Sequence, residues 1–416
     1  VPAVTSGIRV GVLYDSLSNN IGDIAMIDAA RDGLSPHGIT DVVPVKLLSS
    51  EPQVFDAVIV GGGELIRPVG DAFYDRFRYE RGFMLHAVGV WENANDLGYL
   101  SEYAMVSART EAETGYLRSQ GVRAFTTPCP TTILNADHVD LPEAPSGRRN
   151  AIHLVPTALS SVPHLVETVN DIPGDHVLLP FTRYNGDRDF MRSLPLKGNE
   201  TVLGNDLSAR EMRSVIEQSD FVVASSLHVT LFALAYGIPF VSYRQPKVLN
   251  YLKDRGLEHL TFDDDESLMA ALERAAESRS RIEEVREQDI AACRETFASL
   301  ARALHEYDGK PVESPPTSAD PVREECDLLL AQTTLVRHDR DRLIHALFQR
   351  NITGWHRAAV MEENYLSTQR SAEDSEREFW RQIHYLEARV ADAERLRGVR
   401  GTLRFLRDRV RTKISR

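Results

Sequence analysis

Cysteine is scarce in this chain, with only 3 in 416 residues, and Cys129, Cys293 and Cys326 stand too far apart for a disulfide framework or a CxxC metal site. That usage fits a reducing compartment. There is no HExxH and no clustered His, Cys and Asp set, so no built-in metal is expected. No apolar run approaches the roughly 18 residues that a membrane-spanning helix requires. The opening VPAVTSGIRVGVLY has no basic region leading into an apolar one, so a signal peptide is not expected and the reading is cytoplasmic. Positive charge is also in deficit, the net charge being −13, which excludes general nucleic-acid binding by the body of the protein. A GxGxxG fingerprint and a P-loop are both missing, so dinucleotide and P-loop nucleotide binding are not indicated.

What is present is a steady alternation of strand-like and helical stretches. Strand patterns fall at Ile8–Tyr14, Asp56–Val60, His86–Val90 and Ala104–Ala108, with a helix from Thr110 to Gln120. The segment PEAPSGRRN, 142–150, then reads as a boundary. A second series follows at Ala151–Val155, His176–Phe181, Thr201–Leu203, Asp220–Ala224 and Phe240–Tyr243, and Glu266–His305 is helical. With an apolar fraction of 42%, the pattern predicts an α/β protein of two doubly wound, Rossmann-like domains, 1–145 and 146–308, facing a cleft. The proline-rich GKPVESPPTSADP, 309–321, reads as a linker, and 322–416 as a helical extension.

Parallel sheets bind ligands beyond the carboxyl ends of their strands, where helix N-termini offer free N–H groups and partial positive charge. The most informative stretch of this kind is SDFVVASSLHVTLFALAYGIPFVSYRQPK, 219–247. In it a strand stops and a helix starts at Ser225-Ser226-Leu227-His228, while Gly237 and Pro239 end the helix. His228 therefore sits on a first helical turn, and Arg244 and Lys247 follow the next strand onto the same rim. Other candidates occupy equivalent turns: Asn20-Ile21-Gly22-Asp23 after the first strand, Gly61-Gly62-Gly63-Glu64 after the Asp56–Val60 strand, Arg109 after Ala104–Ala108, and Arg183 after His176–Phe181. Taken alone, Asn20 and Asp23 equally suit a helix cap, Ser225 or Ser226 likewise, and Arg109 a salt bridge at a strand end.

In order along the chain, Asn20-Ile21-Gly22-Asp23, the Gly-Gly-Gly turn, VSARTEAETGYLRSQGV and Ser-Ser-Leu-His followed by Gly-Ile-Pro, a strand and Lys247 resemble the polysaccharide pyruvyl transferase family. The resemblance covers roughly residues 8–260. Two positions depart from it: the family's usual arginine two places before the histidine is Ser226, and the aspartate after Arg109 is Thr110. Where many members carry Gly-Asp-Pro, this chain has Pro128-Cys129-Pro130.

The resemblance implies a fold of the glycosyltransferase-B kind and transfer of pyruvate from phosphoenolpyruvate to a sugar of a cell-surface or exopolysaccharide, as a ketal. Phosphoenolpyruvate would be a donor substrate and no cofactor is implied. On that basis His228 is the general acid, with Arg183 replacing the cation missing at Ser226. Arg183, Arg244 and Lys247 clamp the donor, and Asp23 and Glu64 orient or deprotonate the acceptor hydroxyl. Asn20, Gly22, Gly62, Gly63, Arg109, Ser225 and Ser226 line the site. A nucleotide-sugar glycosyltransferase would use the same architecture, and a degenerate transferase serving as a membrane-associated scaffold is a third reading. The extension bears on the last. Residues 322–397 interleave charges of both signs as in helices that pair with one another or with a second copy. Residues 398–416 carry seven basic side chains against one acidic, with Leu403, Leu406, Val410 and Ile414 on one face, as suits peripheral contact with an anionic membrane.

Overall fold

The computed structural model describes residues 7–17, 20–71, 73–182, 186–198, 207–307, 309–325 and 327–328. Arg183, the strand expected at 201–203 and nearly all of the 322–416 extension, including its basic tail, lie outside the described residues.

The first half builds β1 Arg9–Leu13, α1 Ile21–Leu34, β2 Asp41–Pro44, β3 Gln53–Phe55, β4 Ala57–Gly61, β5 Met84–Val88, β6 Met105–Ala108, α2 Glu111–Ser119 and β7 Phe125–Thr126. All of its strands except β3 form a parallel sheet in the order β2-β1-β4-β5-β6-β7. The second half builds β8 Arg149–Ile152, α3 Pro156–Ser161, α4 Leu165–Asp171, β9 Asp175–Leu178, α5 Asp187–Ser193, α6 Ala209–Glu217, β10 Phe221–Ala224, α7 Leu227–Ala235, β11 Phe240–Tyr243, α8 Pro246–Lys253, β12 Thr261–Phe262, α9 Asp265–Glu277 and α10 Arg279–Glu306. Its sheet, also parallel, runs β12-β11-β10-β8-β9.

The fold is thus α/β with two doubly wound parallel sheets. β4 and β10 are buried at every position, which is why both read as unbroken apolar runs rather than as alternating strands. Each sheet reverses its strand order once, between β1 and β4 in the first and between β8 and β10 in the second. Ligands of open parallel sheets bind at such reversals, because the two connections leave in opposite directions and open a crevice.

α10 holds the halves together. Its first part lies on the second domain, with Arg286 Nε donating to the Ala235 carbonyl at 3.1 Å. Its last part lies on the first, where the Thr296 and Thr127 hydroxyls meet at 2.9 Å and the Phe297 ring fills the space above Gly33. A second tie is the fork from Arg210 to both carboxylate oxygens of Asp32, each at 2.8 Å. One continuous apolar cluster accordingly runs from the α1 face of the first sheet through the second domain.

The stretch expected to be a linker does more than connect. Val312–Ser314 forms β13, which pairs antiparallel with β3 of the first domain. Pro311 and Pro315 bracket it, and prolines are tolerated at the ends of a short edge strand while making the sequence look unstructured. The path beyond stays on the first domain through Thr317, whose hydroxyl accepts from Ser49 N at 2.8 Å, and the Arg76–Glu324 ion pair at 2.5 Å. Among the described residues no helix is long and apolar enough to cross a membrane.

Phe297 is fully buried at the junction. Replacing it with alanine leaves a cavity where α10 meets α1, and unfolding by urea should show a loss of about 3–5 kcal/mol; a loss below ~1 kcal/mol would mean that α10 does not tie the domains.

Candidate active site

At the first reversal the chain leaves β1 through Asp15 and enters α1 at Asn20. The Asn20 side chain accepts from Gly22 N at 3.0 Å, capping the helix. The same turn touches the second domain: Asn20 bridges Thr182, and Ile21 N donates to the Phe181 carbonyl at 3.2 Å. At the second reversal Ser226 caps α7, its hydroxyl accepting from Val229 N at 3.3 Å. The N-termini of α1 and α7 therefore meet across the gap. A Cβ on Gly22 would stand 1.9 Å from Nδ1 of His228, so only glycine lets the imidazole lie against the backbone of the opposite domain.

His228 is 6% exposed, and its Nε2 is buried without a hydrogen-bond partner among the described residues. Burial, followed by the nearby charges of Arg109 and Lys247, pulls its pKa down to about 3. The ring is neutral at pH 7 in the unliganded protein. Asp23, the next residue after Gly22, moves the other way. Burial and the neighbouring Asp15 raise it to about 7 against the opposing pull of Lys247 and Arg109.

Gly62 and Gly63, at φ +81° and +64°, occupy the left-handed region open to glycine, and the resulting turn brings the Gly63 Cα within reach of the Asp23 carboxyl. Glu64 follows, and its carboxylate accepts from Lys247 Nζ at 3.3 Å across the domain gap. Burial would raise the Glu64 carboxyl, but Lys247 and Arg109 outweigh it and hold it below its ordinary range.

Arg109 is 2% exposed and bonds Glu113 at 3.0 Å, while its Nε finds no partner among the described residues. A Cβ at Gly89 would come 2.0 Å from its Nη2 and 2.8 Å from Cγ of Glu64. That approach follows an irregularity in β5, where the register shifts between Leu85 and Val88 and Ala87 takes φ +51°. A non-glycine residue there stores strain of about 1–2 kcal/mol. Thr110, in place of an aspartate, serves as a full cap for α2, with Glu113 completing the capping box.

Behind the α7 turn lies a buried relay. Asp187 accepts from His153 Nε2 at 3.0 Å and from the backbone N–H groups of Phe181 and Thr182 at 3.2 and 2.6 Å. Nδ1 of His153 in turn accepts from Ser225 N at 3.3 Å, and Gln245 Nε2 donates to the Ser225 carbonyl at 2.8 Å. Ser225 is thereby fixed through its backbone, with its hydroxyl buried and unpartnered among the described residues.

The structure thus gathers Gly22, Asp23, Gly63, Glu64, Arg109, His228 and Lys247, with Asn20, Gly62, Ser225 and Ser226 shaping the turns beneath them. Arg244 is not in the group. Its guanidinium bonds Asp263 at 3.0 Å and the Thr261 hydroxyl at 3.0 Å, because β12 runs alongside β11 and offers a carboxylate closer than the cleft. Arg183 lies outside the described residues. Sequence reasoning passed over Asp15, Gly89, His153 and Asp187. For Asp15 a signal existed, a polar side chain just past a buried strand. Gly89, His153 and Asp187 act through pairings distant in sequence.

A family model for polysaccharide pyruvyl transferases matches residues 20–245, more than half of the chain. The chain belongs to that family. The matched span runs from the Asn20 cap through His228 to Gln245, and so contains most of the cluster but stops short of Lys247. No curated protein matches the chain. Among solved structures, a functionally uncharacterised protein of Klebsiella pneumoniae is similar at 17% identity and TM-score 0.36, covering 59% of this chain and 88% of its own. A putative UDP-N-acetylglucosamine 2-epimerase of Listeria monocytogenes is similar at 13% identity and TM-score 0.46, over 73% of this chain and 98% of its own. An O-GlcNAc transferase of Thermobaculum terrenum aligns at 12% identity and TM-score 0.33, over 71% of this chain and 66% of its own. These likenesses are too distant to bear on function.

Asp23 and His228 influence stability with opposite sign. A carboxyl with a raised folded pKa adds stability that is complete below its unfolded value of about 4 and is lost as pH rises through its folded value near 7. A histidine with a lowered folded pKa adds stability above its unfolded value of about 6.5 that is lost as pH falls toward 3. Asp23→Asn should therefore gain on wild type as pH rises from about 5 to 7.5, read by urea unfolding at both ends. A difference independent of pH would mean that Asp23 holds no extra proton.

Proposed function

We propose that the protein transfers pyruvate from phosphoenolpyruvate to a saccharide of a surface or exported polysaccharide, leaving it as a ketal. Family membership supports the class. The observation that carries the reading is the position of His228, pressed against Gly22 between two domains with Arg109 and Lys247 close enough to depress its proton affinity.

The reaction makes and breaks the following bonds. The donor's methylene carbon takes up one proton, and the adjacent carbon is attacked by one sugar hydroxyl and then by a second. Phosphate departs with the second hydroxyl proton, so the two protons lost by the sugar balance those gained by the methyl and the phosphate. No redox partner enters. The donor is an anion with a carboxylate and a phosphate, and the cations suited to hold it are Lys247 and Arg109, with the N-terminal turn of α7. An anion at that place cancels the two charges that add to burial in keeping His228 neutral and gives the imidazolium a counter-charge in the buried site, so the imidazole gains its proton as the donor binds and is then the acid for the methylene carbon. Glu64, held ionised, suits the acceptor hydroxyl's proton once the donor competes for Lys247. Asp23, which keeps its proton near neutrality, orients the sugar as a donor of a hydrogen bond.

Purified protein given phosphoenolpyruvate and a bacterial exopolysaccharide should release phosphate only when both are present, and His228→Ala should lower that rate by about 10²–10⁴-fold. Release of nucleotide from UDP- or GDP-sugars instead would replace the reading with glycosyl transfer. Calorimetry gives a separate check. Phosphoenolpyruvate binding near pH 7 should take up about one proton, seen as a heat that varies with the buffer's ionisation enthalpy. Equal heats in phosphate-free buffers of different enthalpy would remove His228 as the acid.

A further inference from the structure

The first domain's rim carries a stack that the transfer chemistry above does not use. The Arg67 guanidinium carbon lies 3.5 Å from the Tyr74 ring centroid on one side and 4.3 Å from that of Trp91 on the other. Its Nε donates to the Glu64 carbonyl at 3.3 Å, which anchors the stack to a residue of the cleft cluster. Trp91 comes two residues after Gly89, and its N–H bonds the Ile66 carbonyl at 3.0 Å, so both rim connections are tied together. Tyr74 is held edge-on by Phe73, with centroids 5.0 Å apart, and faces the cluster, since Asp15 and Asp23 both act on its hydroxyl.

Two features are out of place in a purely structural stack. Trp91 is 40% exposed although its indole is the largest apolar surface nearby. Arg67 forms no ion pair among the described residues, whereas Arg76, Arg78, Arg109, Arg210, Arg244 and Arg255 are each paired with a carboxylate. An indole that is 40% exposed beside residues of the cleft, with Arg67 on one of its faces, suits the C–H face of a sugar ring on the other. A guanidinium held between two rings and in no ion pair among the described residues suits an oxyanion through two parallel hydrogen bonds.

We propose that Trp91, Arg67 and Tyr74 form an acceptor subsite for a sugar bearing an anionic group, a uronate carboxylate or a phosphate, with the ring stacked on Trp91 and the anion read by Arg67. The inference rests on the pyruvyl-transfer reading of the adjoining cleft, and it names the class of sugar that reading requires.

Binding is measured without donor, by saturation-transfer NMR titration of the full chain with glucose, glucuronic acid and glucose 1-phosphate. In wild type at least one charged sugar should bind about tenfold more tightly than glucose, and which one it is assigns carboxylate or phosphate. Arg67→Gln should erase that preference while leaving glucose binding in place. Trp91→Ala should weaken all three by about fivefold, and Trp91→Phe, which keeps a stacking face, should restore most of the loss. Equal binding of the three sugars by wild type, or unchanged binding by Trp91→Ala, overturns the subsite. Because no phosphoenolpyruvate is present, sugar binding of this pattern by a protein that releases no phosphate from that donor would sink the transfer reading alone. Donor turnover with acceptor KM unchanged in Arg67→Gln and Trp91→Ala would sink the subsite alone.

Discussion

Two cations, Arg109 and Lys247, act on every acid and base described in the gap between the domains, with burial or against it. They outweigh burial at Glu64 and hold it ionised, add to burial in keeping His228 neutral, and fail to offset burial at Asp23. The difference is one of distance and neighbours. Glu64 takes the Lys247 ammonium directly at 3.3 Å, while Asp23 is buried beside Asp15 and shares in the cations only at longer range. At Glu64 that direct contact outweighs the cost of burying the carboxylate and holds it below its ordinary range. The site thus holds one ionised carboxylate, one carboxyl that titrates at about 7 and one neutral imidazole, gathered from three distant stretches of the chain. Such a set carries stored proton positions rather than fixed charges, and an arriving anion redistributes them.

That electrostatic arrangement depends on the backbone coming close. Gly22 meets the His228 ring, Gly63 meets Asp23, and Gly89 meets Arg109 and Glu64. At each point a methyl group would intrude below or at the limit of ordinary contact, so the cluster is assembled by glycines on one side and side chains on the other. The strained Ala87 belongs to the same construction, because the irregularity it creates in β5 turns the chain so that Gly89 faces Arg109. Rigid ties by α10 and by the Arg210–Asp32 fork keep the two sides at this spacing.

Much of this was legible in the sequence because it is local. Unbroken apolar runs marked β4 and β10, the Asn-x-Gly-Asp and Gly-Gly-Gly turns marked the strand ends of the first sheet, and Ser-Ser-Leu-His marked the start of α7. What escaped notice was set by pairing across the chain. The reversal of strand order decides which turns share a crevice, and no window of residues contains it. Arg244 was misplaced for that reason: its partner Asp263 becomes a neighbour only through the β11–β12 pairing. The His153–Asp187 relay joins residues 34 apart, and each alone resembles an ordinary polar residue near a strand or helix end. β13 hid behind prolines, since the same residues that permit a three-residue edge strand also compose linkers.

The serine at position 226 shows how the gap obtains its charge. In the family's usual form an arginine two residues before the histidine supplies a cation from the same turn, but here Ser226 spends its side chain capping α7. The cations that act on His228 come instead from Arg109 at the end of β6 and from Lys247 on α8, one from each domain. Neither domain alone surrounds the ring with positive charge, and the glycine it rests on also belongs to the opposite half. An imidazole so placed loses its environment when the halves part, because water then solvates its charged form and Arg109 withdraws. The ties that seem merely structural, α10 and the Arg210 fork, are therefore conditions for the site's chemistry, and the basicity of one ring reports whether the two sheets are docked.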